Sequence, residues 1–383
     1  MYDFRPTEEQ RAIELMARQF AADRLAPNAV AWDQEKHFPV DALRAAASLG
    51  MAGIFVREAH GGTGLSRLDG TILFEALAHG CPTIAAFLSI HNMCAWMIDA
   101  FGSDAQRTRH LPDLCAMKRI ASYCLTEPAA GSDASSIATR AVRDGDDFVV
   151  DGTKSFISGG GVSDLYLVMV RTGGAGAGGI STLLIEKGTP GLSFGANERK
   201  MGWNAQPTAQ VVMEACRVPT SNLLGNAGDG FRYAMQGLDG GRLNIAACSL
   251  GAAQEALDRT LAYTHERQAF GKPLDSFQAL QFRIADMATE LAAARVFLRQ
   301  AAWSLDRREA DAAMQCAMAK RFVTDVAFDV ANQALQLHGG YGYLADFGLE
   351  KIVRDLRVHQ ILEGTNEIMR VIVARSLLAR DRE

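Results

Sequence analysis

The 383-residue chain has no pair of cysteines at metal-binding or redox spacing, no surplus of positive charge, no internal repeat and no apolar run of about 18 residues. Each absence excludes something. Cys81, Cys94, Cys115, Cys124, Cys216, Cys248 and Cys316 are scattered, so neither a C-x-x-C motif nor a zinc site can be drawn. Reduced, packed thiols are expected. A formal net charge of -5 supplies no chain-wide positive field, which argues against a general nucleic-acid or anionic-membrane binder. A local basic groove for a phosphate-bearing ligand remains compatible with it. The opening MYDFRPTEEQ lacks a basic stretch followed by an apolar core, so no signal peptide and no membrane insertion are expected. Cytoplasmic localisation follows as the expectation, or the mitochondrial matrix if the source is eukaryotic. No metal is expected either: His338 has no partner ligands at usable spacing.

What is present is an ordinary globular mixture, 48% hydrophobic and 22% charged, long enough for two or three domains. Its texture changes twice. Residues 1–120 read as an all-helical domain, opening on a capping-box-like Thr7-Glu8-Glu9-Gln10, with Ala-rich helices at 42–48 and 71–79 and breaks at Gly50, Gly61-Gly62 and Pro82. Residues 121–225 read as an antiparallel β domain. Asp144-Gly145 and Asp151-Gly152 flank β-prone runs and predict hairpins, and further strands are predicted at 165–170, 181–186 and 209–214. Residues 226–383 return to long helices. Ile284, Met287, Leu291, Ala294, Leu298, Ala301 and Leu305 step by three and four, the stripe of a helical bundle. Thr365 or Asn366 can cap a last helix running through Leu378.

Four segments carry chemistry or imitate it. Gly174-Ala175-Gly176-Ala177-Gly178-Gly179 fits G-x-G-x-x-G, but Ile180–Ile185 after it is a strand, not the helix that would receive a pyrophosphate, so it reads as a hairpin loop. Tyr123-Cys124-Leu125-Thr126-Glu127-Pro128-Ala129-Ala130-Gly131-Ser132-Asp133 is either a plain connection into the β domain or a loop presenting backbone N–H groups to a flat polar ligand. Gln336-Leu337-His338-Gly339-Gly340 is either a glycine C-cap or a place of close backbone approach to a ligand. Glu363 precedes Gly364 and a helix start, where the helix dipole favours its anion by roughly 0.3–1 kcal/mol. From local features it is either a helix-flanking Glu or a functional carboxylate.

Together these segments resemble the acyl-CoA dehydrogenase family over essentially the whole chain. The likeness rests on residues 123–133, residues 154–158, Arg267-Gln268-Ala269-Phe270-Gly271, residues 336–340 and Glu363-Gly364-Thr365, in family order and at family-like separations. It implies an α+β multidomain fold: an N-terminal helical domain, a middle antiparallel β domain and a C-terminal four-helix-bundle domain. It also implies FAD. Tyr123, Leu125, Thr126, Gly131 and Ser132, with Phe156, Ile157 and Ser158, should line the flavin ring. Phe156 stands where many relatives carry Trp, which keeps a stacking face and loses an indole donor. Arg267, Phe270, Phe277, Gln278, Gln336, Leu337, His338, Gly339 and Gly340 should hold the pyrophosphate and adenine side, partly across a subunit boundary, which implies a homotetramer. Thr365, Asn366 and Glu367 match a segment that also touches FAD.

On the substrate side, Ser132, Asp239, Gly240, Gly241 and Arg242 should contact the CoA portion, with Gly364 beside the thioester. Glu363 should be the catalytic base. A minority of the family carries its base on the first long helix of the C-terminal bundle; here that position is Gly241, which has no side chain to act. Several further stretches, such as Gly202-Trp203-Asn204-Ala205-Gln206-Pro207-Thr208, point to the branch acting on isobutyryl-CoA in valine breakdown, with an electron-transfer flavoprotein as acceptor. The alternatives are another short or methyl-branched acyl-CoA, an oxidase of the same fold, or a nucleic-acid-binding relative. The last carries a basic C-terminal region, whereas this chain ends at Glu383.

Overall fold

The computed structural model describes residues 5–379; the extreme ends, 1–4 and 380–383, including Met1 and the terminal Glu383, lie outside the described residues. Six helices come first: α1 (Glu8–Phe20), α2 (Ala29–Glu35), α3 (Val40–Ala47), α4 (Arg67–Gly80), α5 (Pro82–Phe101) and α6 (Asp104–Cys115). Thr7 and Gln10 form the predicted capping box. Pro82, read as a break, does more than separate two helices: it opens α5 as its first residue, where a missing N–H costs nothing. By length and composition α5 is apolar enough to cross a membrane, but 78% of its apolar window is buried inside the fold, as expected of a core helix.

Strands β1 (Ala121–Cys124), β2 (Arg140–Asp144), β3 (Asp147–Ser158), β4 (Leu165–Arg171), β5 (Ile180–Glu186), β6 (Leu192–Phe194), β7 (Thr208–Pro219) and β8 (Leu223–Leu224) form one sheet, ordered β6-β7-β3-β2-β4-β5-β8 with β1 beside β4. Two expectations need correction. The sheet is not wholly antiparallel: β1 runs parallel to β4, and a single parallel bridge joins Arg140 to Arg171. Only one Asp-Gly makes a hairpin, at Asp144-Gly145. Asp151-Gly152 lies inside the continuous β3, where the register against β7 shifts between Val150 and Gly152. The Asp151 carboxylate accepts from the Ala215 N–H at 2.8 Å, and a Cβ on Gly152 would meet Thr139 Oγ1 at 2.5 Å. A Gly with φ +148° permits this close approach, so the dipeptide encodes a β-bulge. The glycine-rich segment is the β4–β5 loop. Arg171 Nη1 draws the Gly174 and Gly176 carbonyls inward at 2.6 and 3.0 Å, so these carbonyls face a cation rather than making room for an anion.

The chain ends in α7 (Gly230–Glu266), a two-stranded hairpin of β9 (Gln268–Ala269) and β10 (Lys272–Pro273), α8 (Gln278–Asp306), α9 (Ala312–His338), α10 (Gly340–Tyr343), α11 (Leu349–His359) and α12 (Asn366–Ala379). The predicted stripe holds, with Met287, Leu291, Ala294, Leu298 and Ala301 buried and Ile284 and Leu305 packed against them. One apolar core runs through α1, α4 and α5 into α7, α8 and α9, so both helical regions share it. A second joins α5, α6 and α7 to β1, β4 and β5, and a third fills the other face of the sheet. Helix α7 is the common wall of the first two. All seven cysteines are buried free thiols.

Candidate active site

Glu363 lies in the elbow between α11 and α12. Leu349, Ile352, Leu356 and His359 anchor α11 through one buried face. Thr365 caps α12, its hydroxyl accepting from the Ile368 N–H at 3.3 Å. The turn between them needs left-handed backbone, with φ +54° at Glu363 and +91° at Gly364. For a residue with a Cβ this conformation costs of order 1–3 kcal/mol and persists only where neighbours impose it.

The turn drives the Glu363 carboxylate into α7. A Cβ on Gly241 would lie 2.3 Å from Glu363 Oε2 and 2.9 Å from its Cδ, so the missing side chain is the space the carboxylate uses. Among the described residues, Glu363 Oε2 is buried with no hydrogen-bond partner. Burial pushes the carboxyl up to about 7, against the opposing pull of Lys320 and Arg242. That shift corresponds to about 3 kcal/mol against the anion. The helix-dipole preference expected from sequence points the other way and is outweighed, because desolvation of a buried charge is the larger effect. The Tyr123 hydroxyl on β1 is likewise buried and unpartnered. Burial raises it far above the usual phenol range, with Cys94 and Glu363 adding to the effect.

The CoA-side expectations are rearranged. Arg242 Nε donates to the Glu363 carbonyl at 3.3 Å and Nη1 pairs with Asp239 at 2.6 Å. Gly240 faces Arg67, whose guanidinium would be 2.3 Å from a Cβ there. Gly241 and Arg242 therefore belong to the carboxylate end, and Asp239 is spent on Arg242. Ser132, on the exposed loop after Gly131, is the member of the set left facing outward.

On the β side, a second register shift between Lys154 and Ile157 throws Phe156 out of the sheet at φ +60°, 68% exposed. Ile157 points the other way into the core, so only its backbone is available to a ligand. Behind the bulge, buried Lys154 pairs with Glu127 at 2.6 Å and donates to the Leu125 carbonyl at 3.1 Å. The Ser155 N–H holds the Thr126 carbonyl at 2.8 Å, and Ser122 Oγ donates to the Ser158 carbonyl at 2.6 Å. These bonds tie the segment from Tyr123 to Thr126 to the bulge that carries Phe156 and Ser158, while Leu125 is itself buried in the core, and Tyr123 lies near enough to Glu363 to feel its charge.

The other expected cofactor residues gather elsewhere. Arg267 lies over the Tyr341 ring at 5.4 Å, and Phe270, at φ +53° and 95% exposed, meets Phe277 edge-on at 6.1 Å. Gln278 starts α8, and Gln336, Gly339 and Gly340 are exposed where α9 ends. Leu337 and His338 are buried instead; His338 Nδ1 donates to the Ala334 carbonyl at 2.8 Å and its ring stacks on Tyr263 at 4.3 Å. Arg267 ends α7 some 26 residues beyond Gly241. At 1.5 Å per residue that is roughly 39 Å, too far for one dinucleotide to touch both groups within one chain. Asn366, expected at the cofactor, turns its side chain into α9 and is 3% exposed. Glu367 is exposed. His79, Glu255 and Asp258 meet at the surface, where the two His79 nitrogens contact the two carboxylates at 3.1 and 3.0 Å as an ion-pair cluster.

Sequence reading missed Lys320. Its signal was available: a lone lysine on the face of α9 that also carries Cys316, Val323 and Ala327.

Domain models of the acyl-CoA dehydrogenase family match 7–118 (N-terminal domain), 122–216 (middle domain) and 228–378 (C-terminal domain). The mitochondrial isobutyryl-CoA dehydrogenase of Bos taurus is 55% identical over 372 residues, 97% of this chain and 89% of its own. That of Dictyostelium discoideum is 53% identical over 376 residues, 98% and 90% of the two chains. The solved structure of butyryl-CoA dehydrogenase from Megasphaera elsdenii superposes with a TM-score of 0.95 at 36% identity, covering 98% of this chain and all of the other. A helical, β and helical chain with a buried carboxylate at the seam is the architecture of a family of oxidoreductases. The chain belongs to the acyl-CoA dehydrogenase family.

Proposed function

We propose that this protein is an FAD-dependent dehydrogenase of short branched acyl-CoA thioesters, converting isobutyryl-CoA to methacrylyl-CoA, with Glu363 as the base. The observation that carries the reading is the Glu363 carboxylate, whose Oε2 is buried without a partner and lodged in the space left by Gly241. A base raised to about 7 is matched to proton abstraction near neutral pH. Glu363 takes the weakly acidic proton α to the thioester carbonyl. The buried walls around it exclude water, which strengthens any hydrogen bond made to the thioester oxygen as enolate charge develops. Tyr123 sits across from the base with a free hydroxyl, and Phe156 offers a ring face for stacking. When bound, FAD would supply the two-electron acceptor for the β-hydrogen, leaving Glu363 the role of taking the α-proton.

The residues fit that cofactor. Two buried orphan polar atoms and an outward aromatic at a strained bulge sit on one side, while exposed Arg267, Phe270, Gln336 and the Gly339-Gly340 turn form a second patch. Because the two patches are separated by roughly 39 Å along α7, a second copy of the chain would bring one to the other, which supports a homo-oligomer, read here as a homotetramer. An electron-transfer flavoprotein is the proposed electron acceptor. Three folding regions, 1–120, 121–225 and 226–383, are the proposed domain division. The purified protein should be yellow, carry one FAD per subunit and bleach anaerobically on titration with isobutyryl-CoA. A colourless protein that gains no FAD on reconstitution refutes the reading.

A further inference from the structure

Lys320 sits on α9, is 0% exposed and reaches the elbow that carries the base. Its Nζ donates to the Gly364 carbonyl at 2.8 Å and to Asn366 Oδ1 at 2.9 Å. The Asn366 amide in turn donates to Asp325 Oδ1 at 2.7 Å and Thr324 Oγ1 at 3.0 Å, and the Asn366 N–H to the Gln360 carbonyl at 3.0 Å. The left-handed turn of Glu363 and Gly364 is therefore tied to α9 by the Lys320 ammonium and by the Asn366 side chain of α12, which bonds back to Thr324 and Asp325. Arg242 holds the Glu363 carbonyl from α7. Buried lysine is expensive, and this one uses its donors on the backbone of the turn next to the base.

We infer that Lys320 is a positioning residue for the reaction, clamping the Glu363 elbow from α9 with its positive charge held beside the base. This rests on the reading of Glu363 as the base. The groups facing Glu363 are few. From α9 comes Lys320; from α7 come Arg242 and the Cys248 thiol; from β1 comes Tyr123. Arg242, Asp325 and Glu367 act on Lys320 itself, and Lys320 in turn disfavours protonation of the buried His359. Two cations hold the carboxyl down against burial, and Arg242 is shared with Asp239. Lys320 is the larger of the two opposing influences.

The test uses FAD-loaded Lys320→Met, Lys320→Gln and Lys320→Arg. The first reading is the pH midpoint of anaerobic flavin reduction. The second, free of catalysis, is the infrared band of the protonated Glu363 carboxyl, assigned by its loss in Glu363→Gln and followed against pH. Removing an opposite charge that faces a carboxyl moves it by about one pH unit or more. Both midpoints should rise by about one unit in Lys320→Met and Lys320→Gln, with the rate at pH 7 falling about fivefold and recovering as pH rises. Acyl-CoA affinity should change less than about threefold, and Lys320→Arg should keep the wild-type midpoint. Unmoved midpoints in either neutral variant overturn the inference. So does failure of both neutral variants to load FAD and fold when Lys320→Arg fails equally, since the lysine is then only structural. If Glu363→Gln reduces flavin normally while the infrared midpoint still moves, the base assignment has failed and the clamp has not.

Discussion

Gly241→Ala separates the position of the base from the stability of the fold. The added methyl would sit 2.3 Å from Glu363 Oε2, where ordinary contact begins at 3.4 Å, so one of the two must give by about 1 Å. Helix α7 is wedged at this point, with Gly240 against Arg67 and Arg242 paired to Asp239. The carboxylate is the free end of a flexible side chain with no partner to hold Oε2. It yields and the helix does not. A misplacement of about 1 Å at a reacting group costs on the order of 10²-fold in rate. The same substitution replaces Gly by Ala in a helix interior, which favours the fold by up to about 1 kcal/mol. Stopped-flow flavin reduction by isobutyryl-CoA should therefore slow about 10²-fold, while thermal melting of the holoenzyme stays level or rises. A rate within about threefold of wild type would show that the carboxylate is not poised where the structure puts it. A clear loss of stability would show that α7, not Glu363, takes the strain.

The remaining predictions follow from the same groups. Because burial raises Glu363 to about 7, the apoprotein should lose stability as pH rises from the usual carboxylate value towards 7, by up to about 3 kcal/mol. Glu363→Gln should abolish that loss, leaving melts equal near pH 4.5 and the variant more stable at pH 8; parallel curves for the two proteins would refute the burial argument. Isobutyryl-CoA should exceed octanoyl-CoA in kcat/KM by at least about tenfold, since one misfitting methylene is worth roughly 1–3 kcal/mol, and equal turnover would leave only the broad family reading. Glu127→Gln should cost about 3–5 kcal/mol by stranding the buried Lys154 ammonium, read by denaturant unfolding, and a change under 1 kcal/mol would mean the pair is not buried as described.

Much of this was legible in the residues, and what was not has identifiable causes. The α8 stripe, the Thr7 capping box and the Asp144-Gly145 hairpin are local patterns, and local patterns decided them. Asp151-Gly152 carries the same dipeptide signal but lies opposite a strand 60 residues away, and the Asp151 hydrogen bond to Ala215 turns a turn signal into a bulge. Glu363 could be found by resemblance, yet its electrostatics could not: the dipole argument sees the next helix and not the walls of α7 and α9. Asn366 was read by its place in a motif, but its amide is claimed by Thr324 and Asp325 on α9. The 39 Å estimate separating Arg267 from Gly241 is likewise invisible until α7 is known to be one unbroken helix.

Reduction of the bound flavin in Glu363→Gln tests the central claim most directly. The substitution keeps the shape of the side chain and removes only its ability to take a proton. FAD content and acyl-CoA binding should match wild type, while anaerobic flavin reduction by isobutyryl-CoA should fall by roughly 10³-fold or more, in the upper part of the range for a positioned general base. A near wild-type rate of reduction would contradict the account and send the search for the base to Asp239 or Glu367.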